Sequence, residues 1–280
     1  MIESEVKKWN DLVDRWLHYL PPCRPDDEDL ATIRVGATIG TRRGGPHVLI
    51  LGSTPEFRDL ALTLDPARVV VVDQNPRMIQ AMQQLQRSPN PAEVQVVADW
   101  FDFLPQNPRS FDIVLSDLTQ GNIPYDERST FYSRVSASMR VGGLFFDRVF
   151  RYDHLSRLYS IEEIRSAHAQ LAEHNSRDLN RLLFRLLASE PVRHEGTARL
   201  GQLYEELLEG HPSTSLRHQV EDLRHLMAPD SVLWRYGRDW EMVRTAYTPH
   251  LSMIGEHRRN DHYHRGVPSL NIWTTTGGAL

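Results

Sequence analysis

Apolar and polar positions change their spacing several times along this chain, and each change marks a predicted element. Residues 4–20 place Val6, Trp9, Val13, Trp16, Leu17 and Leu20 at helical spacing, with Pro21-Pro22 as the stop. Residues 21–46 read as loop, carrying Gly36, Gly40 and Gly44-Gly45-Pro46. From residue 47 short continuous apolar runs alternate with amphipathic ones. Strands are predicted near 47–51, 68–73, 94–98, 111–116 and 143–149, and helices near 55–64, 76–87 and 127–139. Strands apolar on both faces, separated by helices, predict an α/β fold: a parallel sheet covered on both sides, with right-handed crossovers.

Residues 151–247 lose that alternation and read as mostly helical. Ser160-Ile-Glu-Glu163 is a capping-box pattern. Three leucine-rich stripes follow, at Leu179–Leu187, Leu200–Leu208 (ending at Gly210) and Leu216–Leu226 (ending before Pro229). They predict a helical bundle core. Sheet-like sequence returns at Leu251–His257 and Ser269–Thr275, an expected antiparallel pair that closes the sheet. The predicted organisation is an N-terminal helical cap over 1–46, a sheet domain over 47–150 and 248–280, and a helical insertion over 151–247.

Composition narrows the class. The chain has 280 residues and a net charge of −5, which gives no electrostatic reason to bind nucleic acid. No basic stripe with interleaved aromatics and no Asn-Pro-Pro-Tyr-like base-flipping motif is present. Cys23 is the single cysteine, so no internal disulfide or cysteine metal cluster can form. The N-terminus lacks an apolar signal core, and no run reaches the ~20 apolar residues of a membrane span. A cytoplasmic protein, without a membrane partner, is expected.

The chemistry-bearing stretch is His47-Val-Leu-Ile-Leu-Gly-Ser-Thr-Pro-Glu56 followed by Val69-Val-Val-Val-Asp73. Val48–Leu51 make a buried strand, Gly52 permits a sharp exit, and Pro55 suits the first position of a helix. Asp73 closes the next strand about 20 residues on, where nucleoside-binding folds place a carboxylate on ribose hydroxyls. A phosphate-cradling loop with its lysine is absent. A dinucleotide loop needs three glycines around a pyrophosphate, whereas here Thr54 takes the second glycine position and Glu56 adds negative charge. That charge suits a cofactor bearing a cationic sulfonium and ammonium.

On these residues the chain resembles the class I S-adenosylmethionine-dependent methyltransferases, across 47–149 and less specifically at 251–275. The resemblance rests on the Gly52-Ser-Thr-Pro-Glu56 turn, Val-Asp73-Gln-Asn-Pro-Arg-Met78, Ala98-Asp99-Trp100, the Phe-Asp-Ile-Val-Leu-Ser116-Asp117 strand and the Val-Gly-Gly-Leu run. It departs from the usual G-x-G loop, and Gly-x-Thr-Pro-Glu resembles a bacterial variant of it. The resemblance implies a Rossmann-like, seven-stranded, mostly parallel sheet with antiparallel closing strands. It implies S-adenosylmethionine at Gly52, Ser53, Thr54, Glu56, Asp73, Gln74, Met78, Asp99, Trp100 and Ser116: methionine part on the turn, ribose on Asp73, adenine amino group on Asp99. Several of these have plainer readings: Glu56 favours the helix dipole, Asp99 can cap a turn, Met78 fits a buried helix face, and Trp100 can fill a core edge.

Methyl transfer needs alignment and exclusion of water more than an acid–base pair. If a base is needed, Asp117, Tyr125, Tyr152 and His154 are candidates by position. The group His257, Asp261, His262 and His264 reads more simply as a solvated hairpin tip than as a metal site, and no metal is expected. The expected partner is a small-molecule methyl acceptor, and a homodimer stays open. Two alternatives remain: an alkyl transferase or intramolecular cyclase that releases methylthioadenosine from the same cofactor, and a cofactor-binding module without turnover.

Overall fold

The computed structural model describes residues 13–39, 45–91, 93–150, 152, 157–171, 175–210, 212–236, 240–258 and 269–276. Its elements run α1 (Asp27–Ile39), β1 (His47–Leu51), α2 (Pro55–Leu62), β2 (Arg68–Asp73), α3 (Pro76–Gln84), β3 (Glu93–Val97), β4 (Phe111–Asp117), α4 (Arg128–Ser138) and β5 (Met139–Val149). There follow α5 (Ile161–Ala169), α6 (Ser176–Leu187), α7 (Glu190–Glu195), α8 (Leu200–Leu208), α9 (Thr214–Leu226), β6 (Leu251–Arg258) and β7 (Ser269–Thr275). The described residues fall into two compact units. One takes 25–149, 241–258 and 269–276; the other takes 13–24 and 150–240.

The sheet unit is built on seven strands in the order β3-β2-β1-β4-β5-β7-β6. β1 to β5 pair in parallel, and β7 pairs antiparallel with both β5 and β6. Strand order reverses between β1 and β4, the switch point where open α/β sheets bind ligands at the carboxyl ends of their strands. The first two apolar runs are fully used, since Val48–Leu51 and Val69–Val72 are all buried, whereas edge strand β3 leaves Val94 and Val97 exposed. One face carries Val48, Ile50, Val69, Val71, Ile113, Leu115, Leu144 and Phe146, packed against Phe57, Leu60 and Ala61 of α2 and Ile33 and Ala37 of α1.

α1 corrects the sequence reading, which took residues 21–46 as loop. Three acidic residues, Asp27, Glu28 and Asp29, open its first turn and complement the helix dipole. Gly36, read from sequence as a loop signal, instead serves close packing: a Cβ there would sit 2.9 Å from the Phe146 ring. The N-terminal segment read as a helix over 4–20 is described only from Val13, where Val13–His18 form a short 3-10 helix.

The helical unit follows its leucine stripes. Leu182, Leu183, Leu186, Leu200, Leu207, Leu216, Val220 and Leu223 are all fully buried. Ser160 and Asn175 each complete a capping box, at α5 and α6, and Ser213 caps α9. A two-residue antiparallel ladder joins Ala198-Arg199 to Leu233-Trp234, which sequence periodicity missed because two residues carry no period. No helix among the described residues is long and apolar enough to cross a membrane.

Candidate functional site

The site is assembled at the carboxyl ends of β1, β2 and β4. Leu51 pairs with both Val72 and Ser116, so Gly52, Asp73 and Asp117 each fall one residue past a shared level of the sheet. Gly52 has φ +92°, and a Cβ on it would meet nothing within 4 Å. The turn therefore needs glycine for its conformation, and the space beside it is open. The Gly52 amide donates to the Val72 carbonyl at 2.9 Å, which ties the turn to β2.

Asp73 is nearly enclosed by its own neighbourhood. One carboxylate oxygen accepts from the Asn75 amide at 2.8 Å and the other from the Ser53 hydroxyl at 3.2 Å. Burial pushes its pKa up to about 6, against the pull of those two hydrogen bonds. Asn75 in turn caps α3, accepting from the Arg77 and Met78 amides. Met78 is buried on the inner face of α3, and Gln74 is half-buried beside Asp73.

Asp99 accepts from the Phe101 amide at 2.8 Å and caps a single helical turn, Trp100–Phe103. Trp100 donates its indole N–H to the Val72 carbonyl at 2.9 Å and lies 6.1 Å from the Phe131 ring. The plainer readings of both residues are thus realised: a cap and a brace, each next to the β2 end that carries Asp73.

At the end of β4, Asp117 is held from two sides. Its Oδ1 pairs with Arg148 of β5, and its Oδ2 accepts from the Thr54 hydroxyl at 3.1 Å. Arg148, fully buried, also forms an ion pair with Asp29 of α1 at 2.9 Å. Burial raises the Asp117 pKa to about 6; Arg148 opposes this and Glu56 adds to it. Sequence reasoning missed Arg148 and Asp29. The signal was there, since Asp147 and Arg148 interrupt an otherwise apolar strand, but it did not name their partners.

The opposite face of β4 and β5 carries a second buried polar group. Tyr132 donates to the Tyr247 hydroxyl at 2.6 Å, and Tyr247 donates to Asp147 at 2.8 Å. Tyr247 stacks between Tyr132, at 3.6 Å between ring centroids, and Trp273, at 4.5 Å. Burial raises the Asp147 pKa to about 7, while the Tyr247 hydrogen bond holds it down. Ser116 is buried directly across from Asp147 in the β4–β5 ladder.

Of the remaining candidates, Tyr125 stacks under the Arg128 guanidinium at 4.1 Å. Tyr152 belongs to the helical unit, where it is buried and donates to the Leu187 carbonyl at 2.5 Å. His154 lies outside the described residues, as do Asp261, His262 and His264. Among the described residues no group of three or more His, Cys, Asp or Glu could hold a metal ion.

Residues 52–143 match a family model described as a methyltransferase domain. No curated protein matches the chain. Solved structures share its fold at low identity. A Rhodobacter sphaeroides protein described as a Zn-dependent alcohol dehydrogenase is 14% identical, with 98% of this chain and 100% of that one covered at a TM-score of 0.61. The N-methyltransferase NodS from Bradyrhizobium japonicum WM9, in complex with S-adenosyl-l-homocysteine, is 11% identical, with coverage of 98% and 100% and a TM-score of 0.54. An S-adenosylmethionine-dependent methyltransferase from Mesorhizobium loti is 15% identical, with coverage of 87% and 99% and a TM-score of 0.50. The family match is thus to a methyltransferase domain over residues 52–143, and the solved structures share the fold over most of the chain.

Proposed function

We propose that this protein transfers the methyl group of S-adenosylmethionine to a small-molecule acceptor, leaving S-adenosylhomocysteine. One observation carries the reading: the Gly52 turn, Asp73 and Asp117 meet at the sheet switch point, inside the segment that matches a methyltransferase domain. The residues fit the cofactor. Gly52 leaves open space beside the turn, and each Asp73 oxygen accepts one hydrogen bond where a carboxylate oxygen can take two. When bound, the cofactor supplies a methyl carbon already activated by a sulfonium.

The protein's share of the work is then binding and alignment. Asp73 receives the ribose diol, the Gly52–Glu56 turn holds the amino-acid end, and Asp99 with Trp100 borders the adenine. Carboxylates at Glu56 and Asp117, with Arg148 as the counter-charge, favour a cationic group over a pyrophosphate. Acceptor choice is assigned to residues 151–247. The chain leaves the sheet at Val149, and β5 runs parallel to β4, so it leaves at the strand-end edge that carries Gly52.

Calorimetric titration with S-adenosylhomocysteine and with NAD tests the reading. S-adenosylhomocysteine is expected to bind at least a hundredfold more tightly, about 2.8 kcal/mol; tighter binding of NAD would overturn it. Product analysis then separates methyl transfer, which yields S-adenosylhomocysteine, from displacement on the aminobutyryl chain, which yields methylthioadenosine.

A further inference from the structure

Thr54 occupies the N-cap position of α2, yet it makes no capping hydrogen bond to the helix. Its hydroxyl goes to Asp117 instead, at 3.1 Å. Threonine at an N-cap ordinarily serves the first free amides of its helix. Giving up that role for a carboxylate on another strand is a departure from local rules, and such departures gather where a fold does chemistry.

The contact is the last link of a continuous chain. Asp29 on α1 pairs with Arg148 on β5 at 2.9 Å, Arg148 pairs with Asp117 on β4, and Asp117 accepts from Thr54. All four are buried; Arg148 is wholly so. A buried guanidinium is costly unless well paired, and pairing it twice makes the arrangement hard to deform. A helix that precedes the sheet in sequence is thereby linked to the turn after β1.

We propose that Asp29, Arg148 and Asp117 are positioning residues that hold Thr54, and with it the Gly52–Pro55 turn, in place for the amino-acid end of the cofactor. This rests on the methyltransferase reading above. Asp117 pairs with Arg148 through one oxygen and accepts from Thr54 through the other, and that link is what it contributes to holding the turn.

Two ligands separate positioning from general stability. S-adenosylhomocysteine carries the amino-acid end, whereas methylthioadenosine keeps the nucleoside and lacks it. In Thr54→Val, calorimetry is expected to show S-adenosylhomocysteine bound about tenfold more weakly, the scale of one hydrogen bond to a charged group. Methylthioadenosine should stay within about twofold of the wild-type value, and Thr54→Ser should restore S-adenosylhomocysteine. Asp29→Asn should show the same split from a residue that does not itself contact Thr54. If Asp29→Asn does not fold, the Thr54→Val and Thr54→Ser pair still decides. Equal weakening of both ligands, or no change in either, overturns the proposal. A wild-type protein that binds neither ligand overturns the methyltransferase reading itself.

Discussion

The helical unit and the sheet unit obey different rules. In the helical unit most local signals are satisfied locally: Ser160 and Asn175 close capping boxes, Ser213 caps α9, and the leucine stripes are buried, while Ser189 at the start of α7 makes no capping hydrogen bond. Its buried histidine is fully paired, with His168 bonded to Gln219 and to Arg185 at 2.8 Å each. The sheet unit breaks such rules at its strand ends. Thr54 does not cap, Gly52 takes a positive φ, and Asp73, Asp117 and Asp147 are carboxylates whose burial raises their pKa values. Buried charge is held against a cost, and clustering of that cost at the strand ends is what singles out the candidate site.

The contrast can be tested unit by unit. The largest effect is expected from Leu183→Ala, which empties a fully buried position in α6 and should cost about 2–5 kcal/mol of stability. Denaturant unfolding measures that loss, and S-adenosylhomocysteine affinity of the folded variant should match wild type. A large loss of affinity would erase the proposed division of labour.

The converse substitution, Asp73→Ala, should cost about 2–4 kcal/mol of cofactor binding, since hydrogen bonds to charged groups are worth about 1.5–3 kcal/mol each and rarely add fully. The melting temperature should change little. Affinity within twofold of wild type, with the fold intact, would remove Asp73 from the site.

Acid should act on the two units in opposite directions. Asp73, Asp117 and Asp147 have folded pKa values raised to about 6, 6 and 7. Their linked stability is greatest below the ordinary carboxylate range and is lost as pH rises through 6 to 7. His168 has its pKa lowered from 6.5, by burial first, so its linked stability is present above 6.5 and is lost as pH falls. Hydrogen exchange corrected for intrinsic rates, compared at pH 7.5 and 5.5, should show acid loosening α5, α6 and α9 more than β1, β2 and β4. Cofactor affinity should also fall with acid, by at most about tenfold per pH unit below 6, because Asp73 must ionise to accept both ribose hydroxyls. Asp73→Asn should flatten that dependence. The smallest expected effect is Ser160→Ala, about 1 kcal/mol of stability from the lost cap, with cofactor affinity untouched.

Much of the fold was legible because its signals are local. Val48–Leu51 and Val69–Val72 announced buried parallel strands, and Leu179–Leu187 announced a packed helix. Of the candidate site, the strand-end placement of Gly52, Thr54, Asp73 and Asp117 was legible from spacing and from the family resemblance. Asn75 was less so, since its role as cap of α3 and donor to Asp73 depends on the turn's geometry. α1 was misread because Gly36 looks like a loop residue; it is one only until Phe146, 110 positions away, needs the space of a side chain.

Periodicity, turn residues and caps act within a few residues, so the sequence by itself determined the kinds of element, their order and the strand-end placement of the nucleoside-type motif. Pairing of charges acts across space. That Arg148 would answer both Asp29 and Asp117, and that Thr54 would leave its own helix for Asp117, was decided only when α1, β4 and β5 came together in the sheet unit. The physical reason is the cost of burying a charge: a buried guanidinium takes whichever carboxylates the packed fold brings within reach, and no local pattern in the chain specifies which those are.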